Sequence, residues 1–284
     1  MPVNPLERAI KSGVRMNGRI GDLFAKVGTS AHPRGEIMTT YKQSRLALRS
    51  ALGERNKLLA TQDVLRRMRA DVQRSVSSIF SDAITLGDDE ARRQLSIYGQ
   101  TTNQTINLTS ETQSAFDAVM ARFDVQDATI RALVYTDAEE EQIVGNEEEG
   151  SAGALAAIAI ISAISYWSAY LVWASFDLVI SQNSSGINFQ KQAVAVIDNR
   201  TTNCCLLVHG QIQPFGKPFE LTGTPRFADK MHWPGFHYFC RTSVALYLPE
   251  FDDGSTEQMI KSADAFLTSR DNKSLPHQRP FNAF

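Results

Sequence analysis

The sequence predicts an α+β protein, with a long and mostly helical N-terminal and central part and a small irregular β module near the C-terminus. Apolar residues recur at helical spacing through the first half of the chain, and an uncharged run at 152–176 is long enough for one extended helix. Short apolar runs separated by Gly and Pro turns follow it. With 284 residues, of which 43% are hydrophobic, the chain can bury a core in one or two domains.

Helical periodicity begins after Pro5, which suits a first helical turn, and pauses near Gly28. A longer pattern runs from Glu36 to Phe80 with basic residues on its polar side. Its apolar stripe must lie against another helix of the chain or a neighbouring subunit. Packing within the chain is favoured, because an apolar stripe is normally core.

Acidic residues suggest where later helices begin. Asp88 and Asp89 are candidate caps for a short helix ending at Gly99, and Asp124 is a candidate cap in the helical region that follows. Residues 1–136 are therefore predicted to form a helical arm or assembly region.

The net charge of −2 conceals three regions of different charge. Residues 1–100 carry 17 basic and 10 acidic side chains, residues 101–150 carry 2 and 11, and the remainder carries 10 of each. Interleaved acids favour a solvated helix face for the basic region, with DNA contact as the alternative. Three cysteines in so long a chain predict a reducing compartment rather than a disulfide framework.

Residues 137–150 are predicted to be an acidic linker or loop, since they hold seven acids and no base. The next segment, 152–176, has 25 uncharged residues and could cross a bilayer. Its many Ala and Ser residues, its central aromatic residues and its lack of flanking bases favour a buried helix. Membrane contact through 152–176 stays the alternative.

The β module is predicted within residues 151–269. Leu206 to Val208 are predicted to form a strand, as are the residues from Val244 to Leu248. Ser255 is predicted to cap a last helix, followed by an extended tail at 270–284.

Residues 198–241 concentrate the reactive side chains, with all three cysteines and three of the five histidines. Cys205 and His209 form one potential ligand pair, and His237 and Cys240 form another. If the pairs meet, these four residues would make a tetrahedral Cys2His2 zinc site, in which Cys204 could replace Cys205. The alternative is a metal-free knot of buried thiols and hydrogen-bonded imidazoles.

A cysteine enzyme would need one of these thiols as nucleophile, a histidine as base, and an orienting acid such as Asp198. Nothing in the sequence selects one such triad. The sequence also lacks a Gly-rich phosphate loop, an HExxH motif and a nucleophile elbow. These observations predict a protein that is not an enzyme.

The same segment resembles the phage head morphogenesis domain, which occurs in minor head proteins similar to protein F of phage Mu. The resemblance covers about 45 residues firmly, although Trp233 precedes a single proline where a proline pair is common. It rests on the order of Asp198, Arg200, Thr201, Thr202, Cys205, His209, Gly210, Gln211, Pro234, His237, Cys240 and Arg241.

This resemblance implies a minor structural protein of the virion, made in the host bacterial cytoplasm and located in the head interior or at the portal vertex. The implied partners are the portal protein, the major capsid protein or both, with a homo-oligomer around the portal as a further expectation. The implied role is head assembly, DNA packaging or DNA exit. Asp198 and Arg241 would be structural, as a charge pair or as backbone-binding groups. The alternative function is a membrane-active ejection protein that uses residues 152–176.

Overall fold

The computed structural model describes residues 4–28, 54–102, 104–140, 151–184, 186–224 and 226–271. The helices are α1 (Pro5–Gly28), α2 (Glu54–Ile97), α3 (Thr109–Glu140), α4 (Ser151–Asn183), α5 (Asn203–Val208) and α6 (Ser255–Asp271), with a 3-10 turn at Pro249–Phe251. The strands are β1 (Gln190–Ala195), β2 (Ile212–Pro214), β3 (Phe219–Glu220), β4 (Lys230–Met231) and β5 (Thr242–Tyr247). The protein is α+β, and the prediction of a small β module near the C-terminus is confirmed.

The strands form a three-stranded antiparallel sheet in the order β2-β1-β5 and a separate two-stranded pair of β3 and β4. β1 and β5 align from Gln190 opposite Tyr247 to Ala195 opposite Thr242. Every residue of β5 is buried, so both faces of this strand are covered.

The outer edge of β5 is hydrogen-bonded to side chains of α2 and of Tyr98, the residue that follows it. The Gln94 amide donates a hydrogen bond to the carbonyl of Val244 at 2.9 Å and accepts one from the Leu246 amide at 2.6 Å. The Tyr98 hydroxyl donates to the Leu246 carbonyl at 2.7 Å. Gln94 therefore satisfies the edge much as a further strand would, which protects it from edge-to-edge association.

Helix α1 approaches the sheet closely at Gly13. The Ser243 hydroxyl donates to the Gly13 carbonyl at 2.7 Å, and the Asn17 amide donates to the Val194 carbonyl at 2.9 Å. A Cβ at Gly13 would lie 3.1 Å from the Ser243 oxygen and 3.2 Å from a methyl group of Val194, so a side chain has little room there.

The chain forms two compact units, each built from separate segments. Unit 1 contains the described residues of Met1–Gly21, Ile84–Asn107 and Val172–Phe284, and unit 2 contains those of Asp22–Ala83 and Leu108–Leu171. The predicted division into contiguous regions at 1–136 and 151–269 differs from this one, because α1, α2 and α4 each contribute to both units.

The predicted apolar stripe of the long helix is buried within the chain where the structure describes it. In unit 2, Val72, Val76 and Phe80 of α2 have no solvent exposure. Arg69 pairs with Asp124 of α3, and its guanidinium lies 5.9 Å from the ring centre of Phe123. The predicted part of this stripe at 36–53 lies outside the described residues.

Two groups of predicted caps are wrong, because their acids lie inside continuous helices. Asp88 pairs with Arg92 one turn later at 2.8 Å, and Asp89 pairs with Arg19 of α1 at 3.3 Å. Asp124 likewise lies within α3. Sequence alone did not separate an acid that caps a helix from one that pairs with an arginine on its surface.

The predicted strand at Leu206–Val208 is also wrong, since these residues belong to the short helix α5. The Thr202 carbonyl accepts hydrogen bonds from the amides of Cys205 and Leu206, both at 3.1 Å, and so starts the helix. A short apolar run does not distinguish a buried strand from a buried helical turn.

The uncharged run belongs to α4, a single helix that extends beyond it to Asn183. Within the described residues, Ala159–Asn183 is the one helical stretch long and apolar enough to cross a membrane, and most of it is buried. Trp173 is 1% exposed and Phe176 is not exposed, as expected for a core helix.

Two predicted segments are only partly described. Residues 137–140 continue α3 rather than beginning a loop, and the rest of the acidic segment at 141–150 lies outside the described residues. Arg270, predicted to begin the tail, is buried in the last turn of α6. The remainder of that tail from residue 272 also lies outside the described residues.

Candidate metal centre at Cys205 and His237

The topology of the sheet brings the two ends of the 198–241 segment together. Because β1 and β5 are antiparallel neighbours with Ala195 opposite Thr242, the chain leaves β1 and re-enters β5 at the same end of the sheet. Asp198 follows β1 and Arg241 precedes β5, so residues 43 positions apart in sequence lie side by side.

Arg241 binds Asp198 through two hydrogen bonds of 2.9 and 2.7 Å, so the two residues form a charge pair, one of the two arrangements that the sequence left open. The same carboxylate accepts bonds from the Arg200 amide at 2.9 Å and the Thr201 hydroxyl at 3.0 Å. The hydrogen bond from Arg241 is the main reason why the pKa of Asp198 is lowered, and these local bonds lower it further against the effect of burial. This pair lies where the 198–241 segment leaves β1 and returns to β5. We call Asp198, Thr201 and Arg241 the neck of the module.

Arg270 holds the same loop from the side of α6. Its guanidinium donates to the carbonyls of Thr201 at 2.7 Å and Asn199 at 2.6 Å, and it is 9% exposed. Sequence reasoning missed this residue. A basic side chain in the last turn of a helix was the available signal, but the loop that it binds cannot be identified from sequence.

Beyond the neck, three cysteines and one histidine converge. The Cys205 sulfur lies 3.1 Å from His237 Nε2 and 3.7 Å from the Cys240 sulfur. The ligand atoms of Cys204, Cys205 and His237 all lie within 4.8 Å of one another. The three thiols are free, and each is between 0 and 2% exposed.

The ring of His237 is oriented by its backbone. Nδ1 lies 2.8 Å from the Tyr238 carbonyl oxygen and donates a hydrogen bond to it, since a carbonyl can only accept. Nε2 therefore faces the sulfurs and the Thr202 hydroxyl, which is 3.0 Å away. This leaves Nε2 as the ring atom that can bind a proton or a metal ion.

Cys240 is positioned next to the other ligand atoms by a strained turn. Phe239, which precedes it, has a φ of 57°, a left-handed conformation that costs a non-glycine residue on the order of 1 kcal/mol. This turn allows His237 and Cys240 to reach the same place although only two residues separate them.

The ionisable groups of the cluster influence one another strongly. Hydrogen bonding with Cys205 is the main cause that lowers the pKa of Cys204 to about 5, against the effect of burial. Burial raises the pKa of Cys240, but hydrogen bonds with Cys205 and His237 outweigh it and bring the pKa below its usual value. Hydrogen bonding with Cys204 and Cys240, together with burial, raises the pKa of Cys205.

His237 is the cation of this cluster. Burial lowers the pKa of His237, but hydrogen bonding and charge interaction with Cys240 outweigh burial and raise it to about 9. The raised pKa of His237 and the lowered pKa values of Cys204 and Cys240 favour charged forms of opposite sign that attract one another.

His209 lies apart from this group, so the predicted ligand set needs correction. Its Nδ1 accepts a hydrogen bond from the Ala195 amide at 2.9 Å, and burial lowers its pKa to about 4. The ring is therefore neutral with its proton on Nε2, and its one free lone pair is already used. The structure brings together Cys205, His237 and Cys240, and it supplies Cys204 in place of His209.

The remaining motif residues have structural positions. Gly210 has a φ of +83°, and a Cβ there would lie 2.8 Å from a side-chain carbon of Ile260, so both conformation and space favour glycine. Pro234 is buried, whereas Arg200 is exposed and contributes its backbone amide.

A buried lysine anchors the far side of the module, and sequence reasoning gave no sign of it. Lys191 of β1 is fully buried and donates to the carbonyls of Phe215 at 3.1 Å and His232 at 2.6 Å. Its ammonium group lies 4.3 Å from the ring centre of Trp233. A basic residue within a short strand gives no indication from sequence that it is buried.

No protein-family model, curated protein or solved structure matches this chain in the comparisons.

Proposed function

We propose that this protein is a minor structural component of a tailed-phage head, associated with the portal or the inner capsid and acting in head assembly, DNA packaging or DNA exit. The supporting observation is that motif residues spread over 198–241 meet at one place. Asp198, Thr201 and Arg241 form the neck, and Thr202, Cys205, His237 and Cys240 lie directly behind it. The residues on which the resemblance rests therefore contact one another in the fold, which supports treating them as one structural unit.

The burial of the cluster supports a structural role over a catalytic one. A cysteine nucleophile must present its sulfur to a substrate, yet the sulfur-bearing residues are between 0 and 2% exposed.

The test is co-expression of the chain with the portal and major capsid proteins of the same phage, followed by sedimentation of the assembled particles. The protein is expected to sediment with portal-containing particles. His237→Ala and Cys240→Ser are expected to reduce its incorporation, while Leu207→Ser, an exposed substitution on α5, leaves it unchanged. Recovery of the wild-type chain only in the soluble fraction would contradict the proposal.

A membrane-active role in ejection is the second candidate, because α4 contains a stretch with the length and composition of a membrane span. Flotation of the full chain with liposomes separates the two functions. Since the described part of this stretch is mostly buried, the folded protein is expected to stay unbound. Binding by the folded chain would favour the ejection role.

A further inference from the structure

We propose that Cys204, Cys205, His237 and Cys240 form a Cys3His site for one structural zinc ion. The inference does not depend on the proposed role in the phage head, because it concerns only the chemistry and geometry of the cluster. Its ligand set also differs from the Cys2His2 set that the spacing suggested.

The distances fit a tetrahedral ion. Two thiolates that each bind zinc at ~2.3 Å lie ~3.8 Å apart when the geometry is tetrahedral. The sulfurs of Cys205 and Cys240 lie 3.7 Å apart, although the chain reaches them from a helix and from a turn 35 residues later. The sulfurs of Cys204 and Cys205 and His237 Nε2 lie within 4.8 Å of one another, so these three atoms can surround one ion after small side-chain shifts.

The histidine already has the orientation of a metal ligand. A zinc-bound imidazole usually donates its second N–H to a carbonyl or carboxylate, which fixes the ring and its tautomer. His237 Nδ1 makes this contact with the Tyr238 carbonyl at 2.8 Å, and Nε2 points at the Cys205 sulfur at 3.1 Å. Upon binding, zinc replaces the proton on Nε2.

The sulfurs also have partners suited to thiolates. The Thr202 hydroxyl lies 3.2 Å from the Cys204 sulfur, and the backbone at Gly235 hydrogen-bonds to Cys240. Three thiolates and one zinc ion carry one net negative charge, and Arg241 is close enough to interact with Cys205 and Cys240.

The site would join two parts of the module that lie more than 30 residues apart in the sequence. Cys204 and Cys205 belong to α5, whereas His237 and Cys240 belong to the turn before β5. Such a link would stabilise the module, because zinc binds the folded state.

The direct test is metal analysis of the full chain purified under reducing conditions without added chelator. We expect about one zinc per chain, with iron and copper at trace levels. Cobalt substitution should give intense thiolate-to-metal charge-transfer absorption, weakened in Cys204→Ser, Cys205→Ser and Cys240→Ser. His209→Gln should keep the metal, and Leu207→Ser is the matched control on α5.

A second test uses a chelator on the wild-type protein. It gives a result even if the cysteine variants fail to fold. The chelator is expected to remove zinc and lower the melting temperature, and added zinc should restore it. Wild-type protein without stoichiometric zinc would overturn the proposal. Loss of zinc in His209→Gln, with melting otherwise unchanged, would overturn the ligand set.

Discussion

Asp198 shows how one side chain can organise a loop, since its carboxylate accepts bonds from Arg200, Thr201 and Arg241. The two members of the ion pair are 37% and 25% exposed, so solvent screens part of their attraction. What sets this pair apart from an ordinary surface ion pair is its two-point geometry and its position between the ends of two strands.

Asp198→Asn is expected to lower the free energy of unfolding near neutral pH by about 1–2 kcal/mol. Because the folded-state pKa of Asp198 is lowered, its contribution is present above the unfolded value of ~3.9 and is lost as pH falls through the folded value. The deficit of the variant should therefore shrink in acid. Urea unfolding across the acid range measures it, with the exposed Asp229→Asn as control. A deficit that does not change with pH would contradict this account.

Lys191 gives a second pH dependence, on the alkaline side. Burial lowers the pKa of Lys191 to about 8, and Asp177 offsets only part of this effect. Between that value and the unfolded ~10.4, the unfolded chain binds more protons, so the free energy of unfolding should rise with pH. Lys191→Met should remove this rise, and exposed Lys230→Met should keep it. Parallel pH profiles for wild type and Lys191→Met would show that Lys191 titrates normally.

Among the helices, α2 and α4 make a close backbone contact within unit 1. A Cβ at Gly87 would lie 2.0 Å from the Val172 carbonyl oxygen, whereas a Cβ at Gly18 of α1 would meet nothing within 4 Å. Both glycines lie within helices, but a side chain has no room at Gly87 and has open space at Gly18.

Gly87→Ala is expected to destabilise the protein by several kcal/mol, on the order of 3, because backbone must shift to admit the methyl group. Gly18→Ala should instead be neutral or stabilising by up to about 1 kcal/mol, since alanine favours the helix. Thermal or urea unfolding of the two variants measures the difference. Equal effects would show that α2 and α4 do not approach as closely as described.

The contact between Gln94 and the edge of β5 is a second feature at this scale. Gln94→Ala would leave the Val244 carbonyl and the Leu246 amide without these partners, at a cost of about 2–4 kcal/mol. The Leu246 amide should also exchange its hydrogen faster in the variant, as NMR can detect. The exposed Gln258→Ala serves as control. Unchanged exchange at Leu246 would mean that another group satisfies it.

Sequence patterns predicted the long elements but not the shortest helix, and the reason is physical. Periodicity identified the long helices and β5, because burial of one helix face or of a strand leaves a regular pattern. It did not identify α5, since six residues are too few to separate helical from extended spacing. The cysteine and histidine cluster was visible from composition, but the choice of Cys204 over His209 depends on side-chain directions that only the fold determines.

At the scale of the whole molecule, α1, α2 and α4 each contribute residues to both compact units. Each unit is built from separate segments of the chain, and three helices run from one unit into the other. Unfolding is therefore expected to be a single transition. Val119→Ala in unit 2 and Val244→Ala in unit 1 should shift the same transition when followed by circular dichroism and by tryptophan fluorescence. Two separate transitions would show that the units unfold independently.

The contacts of α1 also affect how the protein folds during synthesis. Asn17 binds the carbonyl of a residue 177 positions later, and the Gly13 carbonyl binds a side chain 230 positions later. At ribosomal rates of about 5–20 residues per second, α1 leaves the exit tunnel ~10 s or more before β5 is made. During that interval the side of α1 that later contacts β1 and β5 has no partner strands, although α2, which pairs with α1 through Arg19 and Asp89, is already made. The docking of α1 on the sheet must therefore wait until β5 has been translated.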